Sequence, residues 1–389
     1  MALASCSSSK TTNSPKSSGA AGLGGGNSSG AGTSGAKQAY KIGFQGALSG
    51  DNQQLGINEI NAVNLAVKQA NAKGDLPFTL SVLKSDDGGD AAKAPAAAQT
   101  LIQDPAVVGV VGPIFSGPTS ATGKAYAAAD MGLISPSATN ADLTKSGFTT
   151  FHRIVPTDGV EGKATADYLA KKFKKVFVVD DTTVYGKGVG DVVRAELKAK
   201  GVQVTSQGVA QNTQDYGAIS QTVKASGAQA MYYGGYDAQA ALFAKSLKSV
   251  GYSGLTIGGN GVKSSVFTSG AGPAGNGWYF ACGCQDATTA PAAKQFTADY
   301  TAAYNTPPST YSPEAYDATN AMIEAMKAAK TAGGVTRKSV EDAITNLDYK
   351  GITTTVKFQP NGEVAQATVN LYKQINGKIV QLGDIATQQ

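Results

Sequence analysis

The segment that decides the fold reads Val107-Val108-Gly109-Val110-Val111-Gly112-Pro113-Ile114-Phe115-Ser116-Gly117-Pro118-Thr119. Its first five residues are all valine or glycine, a run typical of a strand buried on both faces of a parallel sheet. The Ser-Gly-Pro step that follows is typical of a helix start, with Ser116 as the N-cap residue. A strand that leads directly into a helix predicts a βα unit, from which doubly wound sheets are built.

The same alternation of strands and helices extends in two series along most of the chain. Strands are predicted at 40–48, 78–83, 107–111 and 132–135 in the first series, and at 176–179, 202–209, 230–233 and 255–257 in the second. With 389 residues the chain is longer than one core usually holds. We therefore expect an α/β fold with two doubly wound parallel-sheet lobes, whose functional loops lie at the carboxyl ends of the strands. Residues 353–382 alternate like antiparallel strands.

The composition argues against nucleic-acid binding and against common catalytic centres. The net charge is +5, but only three of the 33 basic residues are arginine, the residue that reads bases and phosphates bidentately. His152 is the only histidine, which leaves little scope for a triad or a histidine-based zinc site. The sequence also lacks a nucleophile elbow and a phosphate-binding loop. We expect no enzymatic activity, no metal, no cofactor and no nucleic-acid partner.

Residues 1–38 hold ten serines and eight glycines, a composition that predicts a flexible, disordered linker with a reach of roughly 30 Å. Near its start, Leu3-Ala4-Ser5-Cys6 resembles the lipobox that ends the signal peptide of bacterial lipoproteins. The resemblance implies that a lipid on Cys6 holds the protein at the bacterial cell membrane, outside the cytoplasm. Cys282 and Cys284 remain as Cys-Gly-Cys, and two alternatives stay open for them, a tight disulfide or two free thiols.

Two hydroxyl-rich segments follow neighbouring strands of the first series. One contains Ser116, and the other reads Ser135-Pro136-Ser137-Ala138-Thr139-Asn140. Hydroxyl groups and free N–H groups at a helix start bind anions, so we expect these two edges to hold one carboxylate. In the second series, tyrosines stand beside glycines at strand ends, a pattern that suits closure over a small ligand. These segments are 183–186 and 232–236, and Gly258-Gly259-Asn260-Gly261 follows a third strand.

From Tyr40 to about Gln381 the chain resembles the substrate-binding proteins of branched-chain amino acid ABC transporters, the Leu/Ile/Val-binding group with the type I periplasmic binding fold. The resemblance rests on motifs in family order: Ala47-Leu48-Ser49-Gly50, Gly112 with Ser116 and Thr119, Ser135–Asn140, Tyr185-Gly186, Tyr232–Tyr236 and Tyr316-Asp317-Ala318. It implies two lobes joined by three crossings, near Pro156, near Cys282–Gln285 and near Thr368. The N-terminal lobe would be 39–156 plus 284–367, and the C-terminal lobe 157–283 plus 368–389.

The resemblance also implies roles for individual residues. Ser116 and Thr139 would bind the ligand carboxylate, and the carbonyl of Ser137 would accept a hydrogen bond from the ligand ammonium. The remaining implied ligand contacts are Leu55, Ala138, Tyr185, Tyr236, Asn260 and Tyr316. Two residues depart from the family pattern, because Leu55 stands where relatives often carry tryptophan and Asn260 where they carry an ammonium-binding glutamate. Either another carboxylate supplies the charge, with Asp237 the nearest in sequence, or the ligand lacks a simple α-ammonium.

The implied function is capture of a small carboxylate-bearing ligand, a branched-chain or related amino acid, and its delivery to the permease subunits of an ABC transporter. Two alternatives share the fold. One is a ligand-sensing receptor domain, and the other is a protein that binds a keto acid or an aromatic acid.

Overall fold

The computed structural model describes residues 37–365 and 368–388. Its helices are α1 (Gln53–Lys73), α2 (Ala94–Ile102), α3 (Ser116–Ala128), α4 (Asp158–Ala170), α5 (Val184–Ala199), α6 (Gly217–Ala225), α7 (Asp237–Ser249), α8 (Ser265–Ala271), α9 (Lys294–Tyr304), α10 (Ser312–Thr331) and α11 (Arg337–Thr345). Its strands are β1 (Ala39–Gly46), β2 (Thr79–Asp86), β3 (Val107–Val111), β4 (Gly132–Ser135), β5 (Phe151–Arg153), β6 (Lys175–Asp180), β7 (Gln203–Gly208), β8 (Ala230–Gly234), β9 (Leu255–Gly258), β10 (Tyr279–Cys282), β11 (Tyr349–Lys350), β12 (Thr355–Val356), β13 (Asn370–Ile375) and β14 (Lys378–Asp384).

The first sheet contains five of the described strands, all parallel, in the order β2-β1-β3-β4-β5. Every residue of β3 is buried, as expected for a central strand with helices on both faces. Val111 at the end of β3 pairs with Ile134 of β4. This register brings the segments that follow the two strands side by side at the carboxyl edge of the sheet.

The second sheet contains seven of the described strands, in the order β14-β13-β10-β9-β8-β6-β7. Strands β6 to β10 are parallel, whereas β13 and β14 form an antiparallel hairpin at one edge. The hairpin turns at Asn376 and Gly377, both of which have positive φ, as a tight two-residue turn requires. The predicted α/β fold is confirmed, with the second sheet mixed rather than wholly parallel.

Some elements differ from the sequence prediction. Helices α4 and α8 and strand β10 were not predicted, because they are short or, in α4, interrupted by glycines that weaken the helical pattern. The predicted strand 353–358 is reduced to β12, which pairs only with β11. The backbone N–H and hydroxyl of Thr353 donate to the carboxylate of Asp317 instead of joining a strand ladder.

The chain passes three times between elements packed on the first sheet and elements of the second. The passages lie between β5 and α4, between β10 and α9, and between β12 and β13. The second passage begins at the Cys282–Cys284 disulfide, so the disulfide alternative is the one that the structure contains. Cys6 and the predicted linker up to residue 36 lie outside the described residues. Across residues 37–365 and 368–388, no helix combines the length and the apolar character needed to cross a bilayer.

Candidate functional site

A small cavity lies between the two sheets, at the carboxyl ends of their strands. Its volume is about 10 Å³, roughly the room that one water molecule needs, so the two sides are closed on each other here. It is lined by Leu55, Ile114, Phe115, Ser116, Ser137, Tyr185, Tyr236, Asn260, Gly261 and Tyr311. Among the predicted ligand contacts, Ala138, Thr139 and Tyr316 do not line the cavity.

Ser116 begins helix α3 and faces the neighbouring strand end. The N-cap position is Phe115, which corrects the prediction that Ser116 caps the helix. The Oγ of Ser116 instead accepts a hydrogen bond of 3.1 Å from the backbone N–H of Asn140. The register of β3 and β4 explains this contact, because it places the segment after β4 beside the start of α3. The Ser116 hydroxyl proton is therefore free to donate into the cavity.

Ser137 connects the cavity to a buried carboxyl group that the sequence analysis missed. Its Oγ lies 2.8 Å from the carbonyl oxygen of Ile114 and 2.9 Å from Oε1 of Glu59 on α1. Glu59 is fully buried, and this burial raises its pKa well above the ordinary value. Helix α1 carries both Glu59 and Leu55, so one helix supplies an apolar contact and a titratable group to this side of the cavity.

Arg153 holds the segment that carries Ala138 and Thr139. Its guanidinium is fully buried and donates to the backbone carbonyls of Ala138 at 3.0 Å and Asn140 at 2.8 Å. The same group forms a bidentate pair with the carboxylate of Glu363, at 2.9 and 2.7 Å. The backbone on both sides of Thr139 is therefore fixed, while the buried hydroxyl of Thr139 lies near the carboxyl group of Asp158 without a hydrogen bond of good geometry.

Three aromatic rings close the cavity from both sides. The Phe115 and Tyr236 ring centroids lie 4.7 Å apart, and those of Tyr236 and Tyr185 lie 5.2 Å apart. The hydroxyl of Tyr185 accepts a hydrogen bond of 3.0 Å from the backbone N–H of Gly261. A Cβ at position 261 would lie 2.7 Å from the carbonyl oxygen of Gly235, so only glycine allows this close approach. The predicted pocket tyrosines 185 and 236 are thus brought together.

The first turn of α4 supplies two buried carboxyl groups that were not predicted. Glu161 accepts hydrogen bonds from the backbone N–H of Asn260 at 3.1 Å and from its Nδ2 at 2.9 Å. Burial raises the pKa of Glu161 to about 8, although the Asn260 hydrogen bond favours the charged form. Burial likewise raises the pKa of Asp158 to about 7, against the Thr139 hydroxyl and the charge of Arg153, which lower it.

Asp158 and Glu161 follow closely after Pro156, where the first crossing was predicted, and this position is the feature of the sequence that points to them. Neither carboxyl oxygen of Asp158 accepts a hydrogen bond of good geometry. Asp237, the carboxylate nearest to Asn260 in the sequence argument, accepts a hydrogen bond of 2.9 Å from Asn52 instead. The acidic groups nearest to Asn260 therefore come from α4.

Tyr316 lies away from the cavity, and Tyr311 lies there in its place. The hydroxyl of Tyr316 donates to Oε1 of Gln69 at 2.7 Å, and its ring packs on Phe296 at 4.8 Å. Tyr311 directly precedes α10 and has a φ of +67°. Its hydroxyl is buried without a hydrogen-bond partner. One helical turn thus separates the predicted residue from the tyrosine that lines the cavity.

Comparisons with known proteins identify binding proteins. A family model described as periplasmic binding protein matches residues 39–378. The Leu/Ile/Val-binding protein BraC3 of Rhizobium johnstonii is 30% identical over 346 residues, which cover 87% of this chain and 92% of that protein. The branched-chain amino acid transporter substrate-binding protein LivJ from Streptococcus pneumoniae, solved with isoleucine, is 27% identical with a TM-score of 0.80, over 88% of this chain and 100% of that chain.

A solved solute-binding protein from R. palustris, in complex with benzoate, shares the fold. It is 23% identical with a TM-score of 0.79, over 90% of this chain and 96% of that chain. BraC3 is named as a binding protein and LivJ as the substrate-binding protein of a transporter, and neither name describes an enzyme. The prediction of a non-catalytic protein is confirmed.

Proposed function

Because the chain belongs to the periplasmic binding protein family, an extracytoplasmic family, we propose that it captures one small solute and passes it to the permease of an ABC transporter. Membership of the family confirms the resemblance noted in the sequence. We propose a carboxylate-bearing solute, a branched-chain or related amino acid. The observation that carries the proposal is the cavity to which both sheets contribute hydroxyl, aromatic and amide side chains.

The carboxylate end of the solute binds, in this proposal, on the side of the first sheet. Ser116 lines the cavity, and the buried hydroxyl of Thr139 beside it makes no hydrogen bond of good geometry. The start of α3 adds backbone N–H groups, which favour an anion together with the helix dipole. Leu55 supplies an apolar wall of the cavity, whereas Ala138, the other apolar contact that the resemblance implied, does not line it. Hydroxyl and amide donors of this kind bind a carboxylate without a cationic side chain.

The ammonium end binds between the carbonyl of Ser137 and the first turn of α4. Asp158 supports this assignment, because its carboxyl oxygens are buried and accept no hydrogen bond of good geometry. A buried charge without a partner is costly, so Asp158 favours a cation beside it. Glu161 places a second carboxyl group behind Asn260, which a bound cation would draw towards its charged form. This arrangement replaces the alternative in which Asp237 supplies the charge.

We further propose that residues 39–156 with 284–367 and residues 157–283 with 368–389 move as two lobes about the three passages of the chain. Cavity walls drawn from both sheets support this proposal, because a ligand can enter only when they separate. A lipid on Cys6 would keep the protein near the permease. Cell fractionation of wild type and Cys6→Ala tests the anchor, since the variant should leave the membrane fraction.

Calorimetry with isoleucine and its keto acid tests the proposed function. Ser116→Ala and Thr139→Ala should each bind both compounds ~10–100-fold more weakly, because hydrogen bonds to a charged group are worth roughly 1.5–3 kcal/mol. Asp158→Asn should weaken binding of isoleucine much more than binding of the keto acid, which has no ammonium. Thr122→Ala on the same helix as Ser116 is the matched control, since its hydroxyl bonds only the helix backbone.

Two results would contradict this assignment. Wild-type affinity in both Ser116→Ala and Thr139→Ala would remove the carboxylate site. Equal losses for the amino acid and the keto acid in Asp158→Asn would remove the ammonium site. Binding of the keto acid or of benzoate in preference to every amino acid would favour the second solute class that the sequence left open.

A further inference from the structure

A second cavity, here called the hinge cavity, lies among the three passages of the chain between the sheets. Its volume is about 150 Å³. Pro156 comes from the first passage, Gly283 and Gln285 from the second, and Thr368 and Asn370 from the third. The hinge cavity is separate from the proposed solute site, with which it shares no lining residue. Any movement of the two sheets relative to each other must reshape it.

One buried carboxyl group lines the hinge cavity. Glu314, in the first turn of α10, is only 2% exposed. Its Oε1 accepts a hydrogen bond of 2.7 Å from the backbone N–H of Gln285, whereas its Oε2 is buried without a partner. Burial raises the pKa of Glu314 above its ordinary value. A buried carboxylate that is half satisfied requires either a proton or a cation at the free oxygen.

The other polar side chains of the hinge cavity offer neutral oxygen atoms. Thr353, Thr354 and Thr368 among the lining residues carry hydroxyl groups, and Gln285 and Asn370 carry amide groups. The Thr353 hydroxyl donates to Asp317, and the two amide nitrogens donate to backbone carbonyls, so their oxygen lone pairs are the groups left to face an ion. Each hydroxyl or amide oxygen has lone pairs that can face a cation. No lysine, arginine or histidine is among the lining residues that the structure describes. The lining therefore combines one negative charge with several neutral oxygen donors.

Other charged groups lie near Glu314, but none of them is part of the cavity lining. The charge of Lys263 lowers the pKa of Glu314. Lys263 does not line the cavity, however. The Nζ of Lys263 lies 3.4 Å from Thr310 Oγ1 and 4.4 Å from the centroid of the Tyr372 ring. Asp317, one turn along α10, raises that pKa, and its own carboxylate accepts backbone N–H groups at 2.9 and 2.8 Å. The Glu59 carboxyl on α1 adds a further acidic group near Glu314.

We propose that the hinge cavity binds one monovalent cation of the size of potassium or ammonium, with Glu314 as its charged ligand. One carboxylate balances one positive charge, and the neutral oxygens replace water around the ion. A calcium site needs several oxygen ligands, most of them charged, and magnesium demands a tight octahedron. Within the described residues, no group of three or more acidic, histidine or cysteine side chains is arranged to hold a metal ion. The chemistry therefore favours a singly charged ion.

Because of the ion's position, its binding depends on how the two sheets are arranged relative to each other. Its ligands come from the second and third passages, from residues 353–354 before β12 and from α10, so it binds best to the arrangement that brings them together. An ion with different affinities for two arrangements shifts the balance between them. The expected effect is stabilisation of the closed arrangement described here.

Thermal unfolding of the full chain in different salts tests the proposal. At one ionic strength and mildly alkaline pH, wild type should melt at a higher temperature in potassium or ammonium chloride than in choline chloride, whose cation is too large. The shift should grow with the logarithm of the cation concentration. Glu314→Gln should melt at the same temperature in all three salts. Glu341→Gln, which changes a buried carboxyl beside His152, is the control and should keep the wild-type response.

Crystallography with thallium(I), a stand-in for potassium, gives a second readout that does not depend on the folding of a variant. Wild-type crystals soaked in thallium(I) nitrate should show an anomalous peak in the hinge cavity beside the Glu314 carboxyl group. Equal melting temperatures of wild type in potassium and choline chloride would overturn the proposal, and so would soaked crystals without a peak in the hinge cavity. No solute of the other cavity is used, so these outcomes are independent of the proposed function.

Discussion

Glu161 and Asn260 join helix α4 to the end of strand β9 through two hydrogen bonds of 2.9 and 3.1 Å. The pair sets the electrostatics at the edge of the solute cavity. Burial raises the pKa of Glu161 to about 8, because a charged carboxylate loses its hydration there. Asn260 stabilises the charged form by donating to it but adds no charge of its own. Replacement of the expected glutamate by asparagine is thus compatible with an acidic site.

Glu161→Gln should change how stability depends on pH. Between the unfolded-state pKa of a glutamate, ~4.3, and the folded-state value of about 8, folded wild type binds more protons at this position than the unfolded chain. Stability therefore decreases as pH rises through this range, by up to ~1.4 kcal/mol per pH unit from this group. Urea unfolding across the range should show a less negative slope for Glu161→Gln.

Glu196→Gln on α5 is the control, since its carboxyl is partly exposed and away from the cavity. Parallel curves of unfolding free energy against pH for wild type and Glu161→Gln would contradict the assignment of a raised pKa to Glu161.

At the scale of elements, the starts of α1 and α7 meet at the rim of the solute cavity. Asn52 Nδ2 donates to Asp237 Oδ1 at 2.9 Å, and Gln239 Nε2 donates to Asp51 Oδ2 at 3.0 Å. These hydrogen bonds link a helix packed on the first sheet to a helix packed on the second. They connect the two sides of the closed arrangement described here, so separation of the two sheets would break them.

Asn52→Ala should favour the open arrangement and weaken solute binding without contact to the solute. A hydrogen bond of this kind contributes about 0.5–1.5 kcal/mol, which corresponds to a ~2–10-fold lower affinity. Calorimetry with the tightest-binding solute measures this change. Gln54→Ala on the same helix is the matched control, because Gln54 bonds only Asn58 within α1. Equal affinities for wild type and Asn52→Ala would show that the rim contact does not stabilise closure.

At the scale of the whole molecule, three chain passages connect elements on the two sheets around one closed cavity. The solute cavity, at about 10 Å³, is too small to hold an amino acid in this arrangement. Entry requires the sheets to separate, and the three passages are the segments whose backbone can absorb the rotation. Solute binding and the hinge cavity then act on the same equilibrium from two different places.

Solute binding should compact the protein. Small-angle X-ray scattering should give a smaller radius of gyration for wild type with a saturating solute than for wild type alone, because contacts from both sheets form together. Ser116→Ala at the same solute concentration is the control and should change less. An unchanged radius of gyration at a saturation verified by calorimetry would mean that binding does not close the molecule.

Much of the fold could be predicted because its signals are local. The valine-rich run of β3 and the pattern of β4 match the observed bounds of both strands. A run of this kind is apolar on both faces, so it can only be a central strand. The sequence patterns of the short strand β10 and of helix α4 are weak, because only packing against neighbouring elements stabilises these two elements. The sequence could not predict the hydrogen bonds of Thr353 either, because their acceptor, Asp317, lies in a distant part of the chain.

By itself, the sequence determined the two series of βα units, the family, and the cavity residues Ser116, Ser137, Tyr185 and Tyr236 at the strand ends. Strand order and right-handed crossovers place such residues at one edge, so a local motif is enough. Only the tertiary structure decided where the charges lie and which tyrosine after residue 310 enters the cavity. Asp158 and Glu161 gain their raised pKa values from burial between elements far apart in sequence. Tyr311 replaces Tyr316 because the register of α10 against α1 turns Tyr316 towards Gln69.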